Sequence, residues 1–166
     1  MQSDAAGSRS GVSTDGRRRN ERADRASYIE AGARNELDTL EEMRTTDWQL
    51  RWPATDELVP SSAAYRTIHE NYPGGFPRFD EIRVAGAANQ YLLTPGYTIV
   101  RVAGAGELWL AEARVRYGDG SEWCMAKVLE LRNGKVDREP DYWAPVDAPP
   151  AWRATMTDRL TRGDQP

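Results

Sequence analysis

An aspartate in the last strand-like stretch of the sequence is the residue best placed for acid–base chemistry. Asn133-Gly134 separates two strand-like runs and is a strong signal for a two-residue β-hairpin loop. Counting outward from that loop places Ala126 opposite Asp141, and Cys124 opposite Trp143. The small side chains leave space in front of the carboxyl group, and apolar burial would raise its pKa toward the neutral range that a general acid or base needs. The alternative is an exposed or salt-bridged strand carboxylate.

A second charged pair lies on the preceding strand-like run. Glu112 and Arg114 are two residues apart, so their side chains share one face of a strand. If Gly118-Asp119-Gly120 is a three-residue loop, Glu112 pairs with Ala126 and shares the face of the aspartate. With a two-residue loop, Glu112 pairs with Lys127 and points the other way. The glycines favour three residues, yet the opposite face is the more apolar one, carrying Trp109, Ala111, Ala113, Val115 and Tyr117.

The elements that must position these residues are helices first and strands afterwards. Apolar residues at helical spacing predict a long helix over about 25–45, with Ser27 and Glu30 as its capping box. Ser61 or Ser62 caps another helix, which Pro73-Gly74-Gly75 ends. Strands rich in Val, Ile, Tyr and Trp are predicted at about 79–85, 97–103, 107–117, 122–132 and 135–143. The order indicates an α+β fold, a cone-shaped curved antiparallel sheet packed against N-terminal helices.

Composition excludes several classes of function. The 166 residues carry 22 basic and 26 acidic side chains, a net charge of -4 that argues against an obligate nucleic-acid binder. A mean hydropathy of -0.74 speaks against a membrane span. One cysteine and one histidine exclude a disulfide framework and a multi-histidine or cysteine-based metal site. We therefore expect no metal, no cofactor, no nucleic-acid partner and no membrane partner.

The first 23 residues differ in composition from the rest of the chain, because they are rich in arginine and poor in large apolar side chains. We expect them to form a disordered tail, since such a segment buries too little apolar surface to offset its ordering entropy. The expected division is a tail over 1–23, one domain over 24–157 and a flexible C-terminus over 158–166. Without an apolar export signal, and with a free thiol, the expected location is the cytoplasm.

Three stretches resemble a known superfamily. They are Glu112-Ala-Arg-Val-Arg-Tyr-Gly-Asp-Gly-Ser-Glu-Trp123, Val128-Leu-Glu-Leu-Arg-Asn-Gly-Lys-Val-Asp-Arg-Glu-Pro-Asp-Tyr-Trp143 and Ala148-Pro-Pro-Ala-Trp-Arg153. Together they resemble the nuclear-transport-factor-2-like (NTF2-like) superfamily, and within it the SnoaL-like, polyketide-cyclase-like branch. One departure is Pro140, where that branch commonly has threonine. Because proline removes a ladder donor, we expect the strand to be an edge or to be bulged there.

The resemblance implies a cone-shaped barrel with one deep apolar pocket and, in many members, a homodimer. It also implies roles for particular residues. Asp141 is similar in position to the acidic residue of limonene-epoxide-hydrolase-like members, in which a strand Arg-x-Asp pair assists; here the order is reversed, as Glu112-x-Arg114. Dehydratase-like members use a histidine oriented by a carboxylate, which makes His69 with Asp141 a candidate acid–base dyad.

The remaining candidates concern binding. Trp48 and Tyr65 are expected to frame the mouth of the pocket, because aromatic rings pack well on a flat apolar ligand. Cys124 and Trp143 are expected beside the aspartate as further contacts to the substrate. Two functions follow: a cofactor-independent acid–base enzyme (cyclase, isomerase, dehydratase or epoxide hydrolase) acting on a hydrophobic small molecule, or a non-catalytic binding or dimerisation module with the same pocket.

Overall fold

The computed structural model describes residues 14–79, 81–84 and 96–158 of the chain. They form three helices and a seven-stranded, curved mixed sheet. The helices are α1 (Thr14–Ala33), α2 (Leu37–Met43) and α3 (Ser62–Glu70). The strands are β1 (Arg44–Trp52), β2 (Glu57–Val59), β3 (Ile82–Val84), β4 (Tyr97–Ala105), β5 (Leu108–Arg116), β6 (Glu122–Arg132) and β7 (Lys135–Pro145).

The order of strands across the sheet is β2-β1-β7-β6-β5-β4-β3. The strands β4 to β7 form the expected antiparallel meander, whereas β1 pairs with β7 in parallel and β3 pairs with β4 in parallel. The α+β fold class is confirmed, with these two parallel pairs making the sheet mixed. None of the described helices combines the length and apolar composition that crossing a membrane requires.

The long helix expected over 25–45 is instead two helices followed by a strand. The break falls at Asn35, whose backbone has a φ of 57°, a left-handed conformation that asparagine tolerates better than most residues. The last residues of the expected helix begin β1, which ends immediately before Pro53. Helix α3 has the predicted cap, with the Ser61 hydroxyl accepting a hydrogen bond from the backbone N–H of Ala64 at 3.2 Å.

Helix α1 also starts earlier than the sequence indicated. It begins at Thr14, so the expectation of a disordered tail is wrong for residues 14–23, and residues 1–13 lie outside the described part of the chain. Arg25 connects this polar part of α1 to the sheet. Its side chain is buried, and its guanidinium donates a hydrogen bond to the carbonyl of Gly134 in the β6–β7 loop, at 3.3 Å.

The core lies between the helices and the concave face of the sheet. The β5 residues Trp109, Ala111, Ala113 and Val115 point inward and are buried, as the apolar pattern of that strand indicated. Helix α1 packs against β4 and β5, and its buried Ile29 belongs to the same apolar cluster as Trp48 and Leu50 of β1. The outer face of the meander stays open to solvent and exposes Leu108, Leu110 and Tyr142. The sheet therefore has one enclosed and one open side.

Candidate functional site

A cavity of about 470 Å³ opens between the helices and the concave face of the sheet. Its walls are mostly apolar, so a ligand inside would exchange water for hydrophobic contact. Aromatic rings supply much of this surface, namely Tyr65, Phe76, Phe79, Tyr97, Trp123 and Trp143. Three charged side chains of the sheet also reach the wall, Glu57, Lys127 and Asp141. Glu57 is exposed, whereas Lys127 and Asp141 are buried and place polar chemistry inside an apolar enclosure.

Asp141 lies in this wall with only 4% of its surface exposed. Its Oδ2 is 3.2 Å from the Nζ of Lys127. Its Oδ1 is buried and has no hydrogen-bond partner among the described residues. Burial raises the pKa of Asp141 to about 7, the negative charge of Glu139 adds to that rise, and Lys127 opposes it. The carboxyl group can therefore hold or release a proton near neutral pH.

Glu139 lies two residues earlier on β7 and is buried like Asp141, but its hydrogen-bond partners and its protonation differ. It accepts hydrogen bonds from Lys127, from the hydroxyl of Tyr28 and, at 3.0 Å, from the indole N–H of Trp48. Arg44 adds a second positive charge, 3.8 Å away. Burial alone would raise the pKa of Glu139, but Lys127 and Arg44 outweigh it and hold the pKa below its usual value. Glu139 is thus a permanent anion.

Arg44 fixes the far side of this cluster. Its guanidinium lies 3.6 Å from the ring centre of Trp48 and 4.4 Å from that of Tyr65. Its Nε donates to the hydroxyl of Tyr28 at 2.7 Å. A buried guanidinium held by two rings and a hydroxyl has little freedom to move. We define the charge cluster as Arg44, Lys127, Glu139 and Asp141; within it only Asp141 keeps an unpartnered carboxyl oxygen.

A β-bulge decides that Asp141 faces the cavity. The predicted two-residue loop is present, with Asn133 and Gly134 both at positive φ. The register then shifts, because Glu130 pairs with Arg138 while Leu131 pairs with Val136, which leaves Asp137 as an extra residue. Such a residue turns every following side chain of its strand to the other face.

The pairing expected from simple counting is therefore wrong by one residue. Asp141 lies opposite Lys127 rather than Ala126, and Cys124 lies opposite Ala144 rather than Trp143. The side chain of Asp137 holds the bulge, since its Oδ1 accepts from the hydroxyl of Thr45 on β1 at 2.7 Å. Pro140 is neither in an edge strand nor in the bulge, because β7 lies between β1 and β6.

Glu112 and Arg114 are on the opposite side of the sheet. The loop Gly118-Asp119-Gly120 does have three residues, and Glu112 does pair with Ala126. The expectation that it shares the face of Asp141 is wrong, because the bulge in β7 moved Asp141 away from that face. Glu112 instead lies 3.5 Å from Arg101, with 40% of its side chain exposed. Both residues of the Glu112-x-Arg114 pair thus lie outside the cavity.

His69 borders the cavity, but its hydrogen bond goes to Asn35 rather than to Asp141. The Nδ1 of His69 is 2.6 Å from the Oδ1 of Asn35, an atom that only accepts, so this nitrogen carries the proton. The imidazole stacks on Phe76 at 4.3 Å and lies 4.0 Å from the ring centre of Tyr65. Burial, with the charges of Arg44 and Lys127, lowers the pKa of His69 to about 4. It is neutral at pH 7, with Nε2 as a proton acceptor.

The expected binding residues divide between three places. Tyr65 and Trp143 line the cavity. Trp48 is fully buried behind it, where its ring packs on Arg44 and its N–H serves Glu139. Cys124 lies on the outer face, in a groove with Glu112. The structure therefore brings together Asp141, His69, Tyr65 and Trp143 and leaves the other candidates outside.

Arg44, Lys127 and Glu139 are charged residues of the cluster that were not predicted from the sequence. A signal for Lys127 was available, since it stands in a strand where Met125, Leu129 and Leu131 occupy the other inward positions. A charged residue on an apolar face needs a buried partner of opposite charge. Among the described residues, no group of histidine, cysteine, aspartate and glutamate is arranged to hold a metal ion.

Comparison with known proteins bears on the fold. No protein-family model matches the chain, and no curated protein matches it. A solved NTF2-like protein of unknown function from Burkholderia xenovorans superposes with a TM-score of 0.64 at 22% identity, over 86% of this chain and 97% of its own. A candidate ketosteroid isomerase from Kribbella flavida superposes with a TM-score of 0.62 at 19% identity, and the match covers 85% of this chain and 90% of that one.

A third solved structure, a candidate SnoaL-like polyketide cyclase from Shewanella putrefaciens, superposes with a TM-score of 0.54 at 14% identity. The match covers 75% of this chain and 89% of that one. At these identities the similarity establishes architecture and not activity. The chain has the NTF2-like fold, as the resemblance in its C-terminal third implied.

Proposed function

We propose that the protein is a cofactor-independent acid–base enzyme acting on a hydrophobic small molecule in the cavity. The observation that carries the proposal is Asp141, a buried carboxyl group in an aromatic-lined enclosure with one oxygen unpartnered. Two solved proteins of the same fold, a candidate isomerase and a candidate cyclase, are named for reactions that move protons on such molecules. The similarity supports the class of reaction and leaves the substrate open.

The charge cluster separates one reactive carboxyl group from one fixed carboxylate. Glu139 stays ionised because Lys127 and Arg44 hold its charge. Its negative charge in turn helps to keep a proton on Asp141. Two carboxyl groups whose environments drive their pKa values apart form a common arrangement in acid–base sites. Asp141 is thus the proton carrier, and Glu139 sets its affinity for the proton.

Asp141 can act in either direction. As a base, an Oδ1 lone pair takes a proton from an activated C–H bond, the bonding electrons pass to the neighbouring carbonyl as an enolate, and the proton returns to another carbon. As an acid, the Oδ1–H protonates an epoxide oxygen as its C–O bond breaks, while a water molecule adds to that carbon and returns a proton to the carboxylate. A protonated hydroxyl group leaves as water in the same way, and the carboxylate then takes a proton from the neighbouring carbon as the double bond forms. Lys127, 3.2 Å from Asp141 Oδ2, stabilises the carboxylate that forms when Asp141 acts as an acid. When Asp141 acts as a base, the ammonium group of Lys127 can donate to the enolate oxygen of a substrate in the cavity.

A proton-exchange experiment tests the proposal without knowledge of the natural substrate. 2-Tetralone has acidic C–H bonds on a bicyclic apolar body, and exchange of its C1 protons in D₂O is followed by proton NMR. We expect the protein to accelerate exchange and Asp141→Asn to lower the rate by about 10²–10⁴-fold. Glu112→Gln is the matched control, a carboxylate on the other face of the sheet, with a change of about twofold or less.

Equal exchange rates for the wild type and Asp141→Asn would contradict the assignment of Asp141. A non-catalytic binding module is the second candidate, and the aromatic walls of the cavity favour it as much as they favour an enzyme. Binding of 2-tetralone without acceleration of its exchange, and without opening of styrene oxide in a parallel assay, would support that candidate.

The expected homodimer is a further proposal. The outer face of the meander supports it, because Leu108, Leu110 and Tyr142 are exposed there as neighbours on one side of the sheet. Exposed apolar side chains on a flat sheet face are typical of surfaces that another chain covers. A second copy of this chain on that face would leave the cavity, on the other side of the sheet, accessible.

A further inference from the structure

The net charge of the charge cluster depends on the protonation of Asp141, and this dependence indicates which charge a ligand should carry. The cluster contains two cations, Arg44 and Lys127, and two carboxyl groups, Glu139 and Asp141. With both carboxyl groups ionised the cluster is neutral. When Asp141 is protonated the cluster carries one net positive charge in an apolar enclosure, where an uncompensated charge is costly.

Lys127 is the cation that can use an additional anion. Its ammonium group has three N–H donors, and the described residues offer it two acceptors, Glu139 Oε1 and Asp141 Oδ2. Its side chain reaches the cavity wall. Arg44, by contrast, is enclosed by aromatic rings away from the cavity. A negatively charged oxygen atom entering the cavity therefore meets the Nζ of Lys127.

Asp141 offers the second contact. Its Oδ1 is buried and unpartnered, so the protonated carboxyl group has a donor with no acceptor. An acceptor oxygen placed between the third N–H of Lys127 and the O–H of Asp141 satisfies both residues. Charge-assisted hydrogen bonds of this kind are among the strongest in proteins.

We infer that the cavity binds an organic monoanion, an apolar body bearing one carboxylate or phenolate oxygen, which contacts Lys127 while Asp141 takes up one proton from solvent. This deepens the proposed function by naming the ligand class of the same cavity, and it rests on that proposal. Lys127 keeps Glu139 as its permanent partner, and the ligand takes the place of the Asp141 charge. One anion enters, one proton enters with it, and the cluster with its ligand is neutral.

The other groups around Asp141 do not supply or accept this proton near pH 7. Glu139 stays ionised, and His69 is neutral with a pKa of about 4. Tyr28, Tyr65 and Tyr97 have pKa values raised by burial. Among the described residues, the titratable or charged side chains that act on Asp141 or line the cavity are Lys127 of β6, Glu139 of β7, Arg44 of β1, Glu57 of β2, Tyr65 and His69 of α3, Tyr97 of β4, and Tyr72 and Tyr117 in loops. Tyr28 of α1 acts on this group through its hydrogen bond to Glu139.

Calorimetry with a matched pair of probes tests the inference. 2-Naphthoate and 2-naphthamide have the same ring and differ in charge. We expect the wild type to bind 2-naphthoate at least about tenfold more tightly at pH 7, the value of one charge-assisted hydrogen bond. Titrations in buffers of different ionisation enthalpy should show close to one proton taken up at pH 8. Above pH 7 the affinity should fall by about tenfold per pH unit.

Asp141→Asn separates this inference from the catalytic proposal. The asparagine keeps the cluster at one positive charge, so the variant should bind 2-naphthoate at every pH as tightly as the wild type does at low pH, with no proton uptake. Lys127→Met should lose the preference for the anion. Equal affinity for the two probes in the wild type, or binding of 2-naphthoate with no proton uptake at pH 8, would overturn the inference.

The two proposals fail in different ways. If 2-tetralone exchange depends on Asp141 while 2-naphthoate shows no preference, the anion site is wrong and the acid–base role stands. If 2-naphthoate binds with proton uptake while no proton-transfer probe is turned over, the anion site stands as that of a binding protein. Should Lys127→Met fail to fold, Asp141→Asn and the probe pair still decide the result.

Discussion

The two faces of the β4–β7 meander carry similar residue types in opposite environments. On the concave face Lys127 meets Glu139 and Asp141 in nearly complete burial, while on the outer face Arg101 meets Glu112 with about half of each side chain exposed. The outer pair is screened by water and adds little to stability or chemistry. The inner cluster has a carboxyl group with a pKa near 7. Burial rather than residue type creates the candidate site.

The largest difference between the faces should appear in stability. Glu139→Gln leaves Lys127 and Arg44 buried without their shared carboxylate, so we expect a loss of about 3–5 kcal/mol in the free energy of unfolding. Glu112→Gln removes an exposed carboxylate and should cost about 0–1 kcal/mol. Urea unfolding of the two variants beside the wild type measures both. Similar losses for the two variants would mean that the inner cluster is not desolvated as described.

The pH dependence of stability sharpens the comparison. The pKa of Asp141 is raised from an ordinary 3.8 to about 7, so between these values the folded state holds a proton that the unfolded state has released. The contribution of this group to stability is therefore full below pH 4 and falls as pH rises to 7, by up to about 1.4 kcal/mol per pH unit.

Asp141→Asn isolates this contribution. His69 has the opposite effect on the pH dependence of stability, and it does so in the wild type and in Asp141→Asn alike. Its pKa is lowered to about 4, so its stabilising contribution is lost as pH falls from 6.5 to 4. The difference between the variant and the wild type removes that effect. From pH 4.5 to pH 7.5, the free energy of unfolding of the variant should rise relative to that of the wild type, as measured by urea unfolding at each pH. A constant difference would show that Asp141 has an ordinary pKa.

The rate of 2-tetralone exchange should respond to pH through Asp141 alone. A base is active when ionised, so the exchange rate should rise about tenfold per pH unit below pH 7 and level off above it. His69→Phe keeps the ring stack with Phe76 and should keep this inflection. An inflection that moves or disappears in His69→Phe would assign the titration to the histidine instead.

The outer face should respond to substitution in assembly and not in the cavity. Leu110→Asp places a charge among exposed apolar side chains and should shift the proposed dimer to monomer in sizing chromatography with light scattering. Exchange of 2-tetralone should change by about twofold or less, because the side chain lies across the sheet from the cavity. A monomeric wild type would refute the dimer.

The sequence predicted the strands β4 to β7 well because their signals are local. Alternating apolar residues and the Asn133-Gly134 turn set each strand and its first pairings without reference to the rest of the fold. The strand β1 escaped prediction because its residues continue a helical pattern, and its place beside β7 is a contact between distant parts of the chain. Helix α1 likewise makes contacts with distant parts of the chain, among them the hydrogen bond from Arg25 to Gly134.

The candidate site was predicted in part, and for a partly mistaken reason. Counting from the hairpin placed Asp141 opposite Ala126, on what is now the outer face, whereas the bulge at Asp137 turned it inward. The bulge is held by the hydrogen bond from Thr45, a residue 92 positions away, which no local pattern reveals. Once β7 is known to be shifted, the inward positions of Glu139 and Asp141 follow from strand alternation.

Asp141 is buried in the wall of the cavity, and we propose that it changes its protonation near neutral pH. Carbon-13 NMR of the side-chain carboxyl groups, with the Asp141 resonance assigned by its absence in Asp141→Asn, follows that change directly. We predict a titration midpoint near pH 7 for this resonance, well above the ordinary value of 3.8. A midpoint near pH 4 would show that this carboxyl group has an ordinary pKa, and Asp141 would not be the proton carrier near neutral pH.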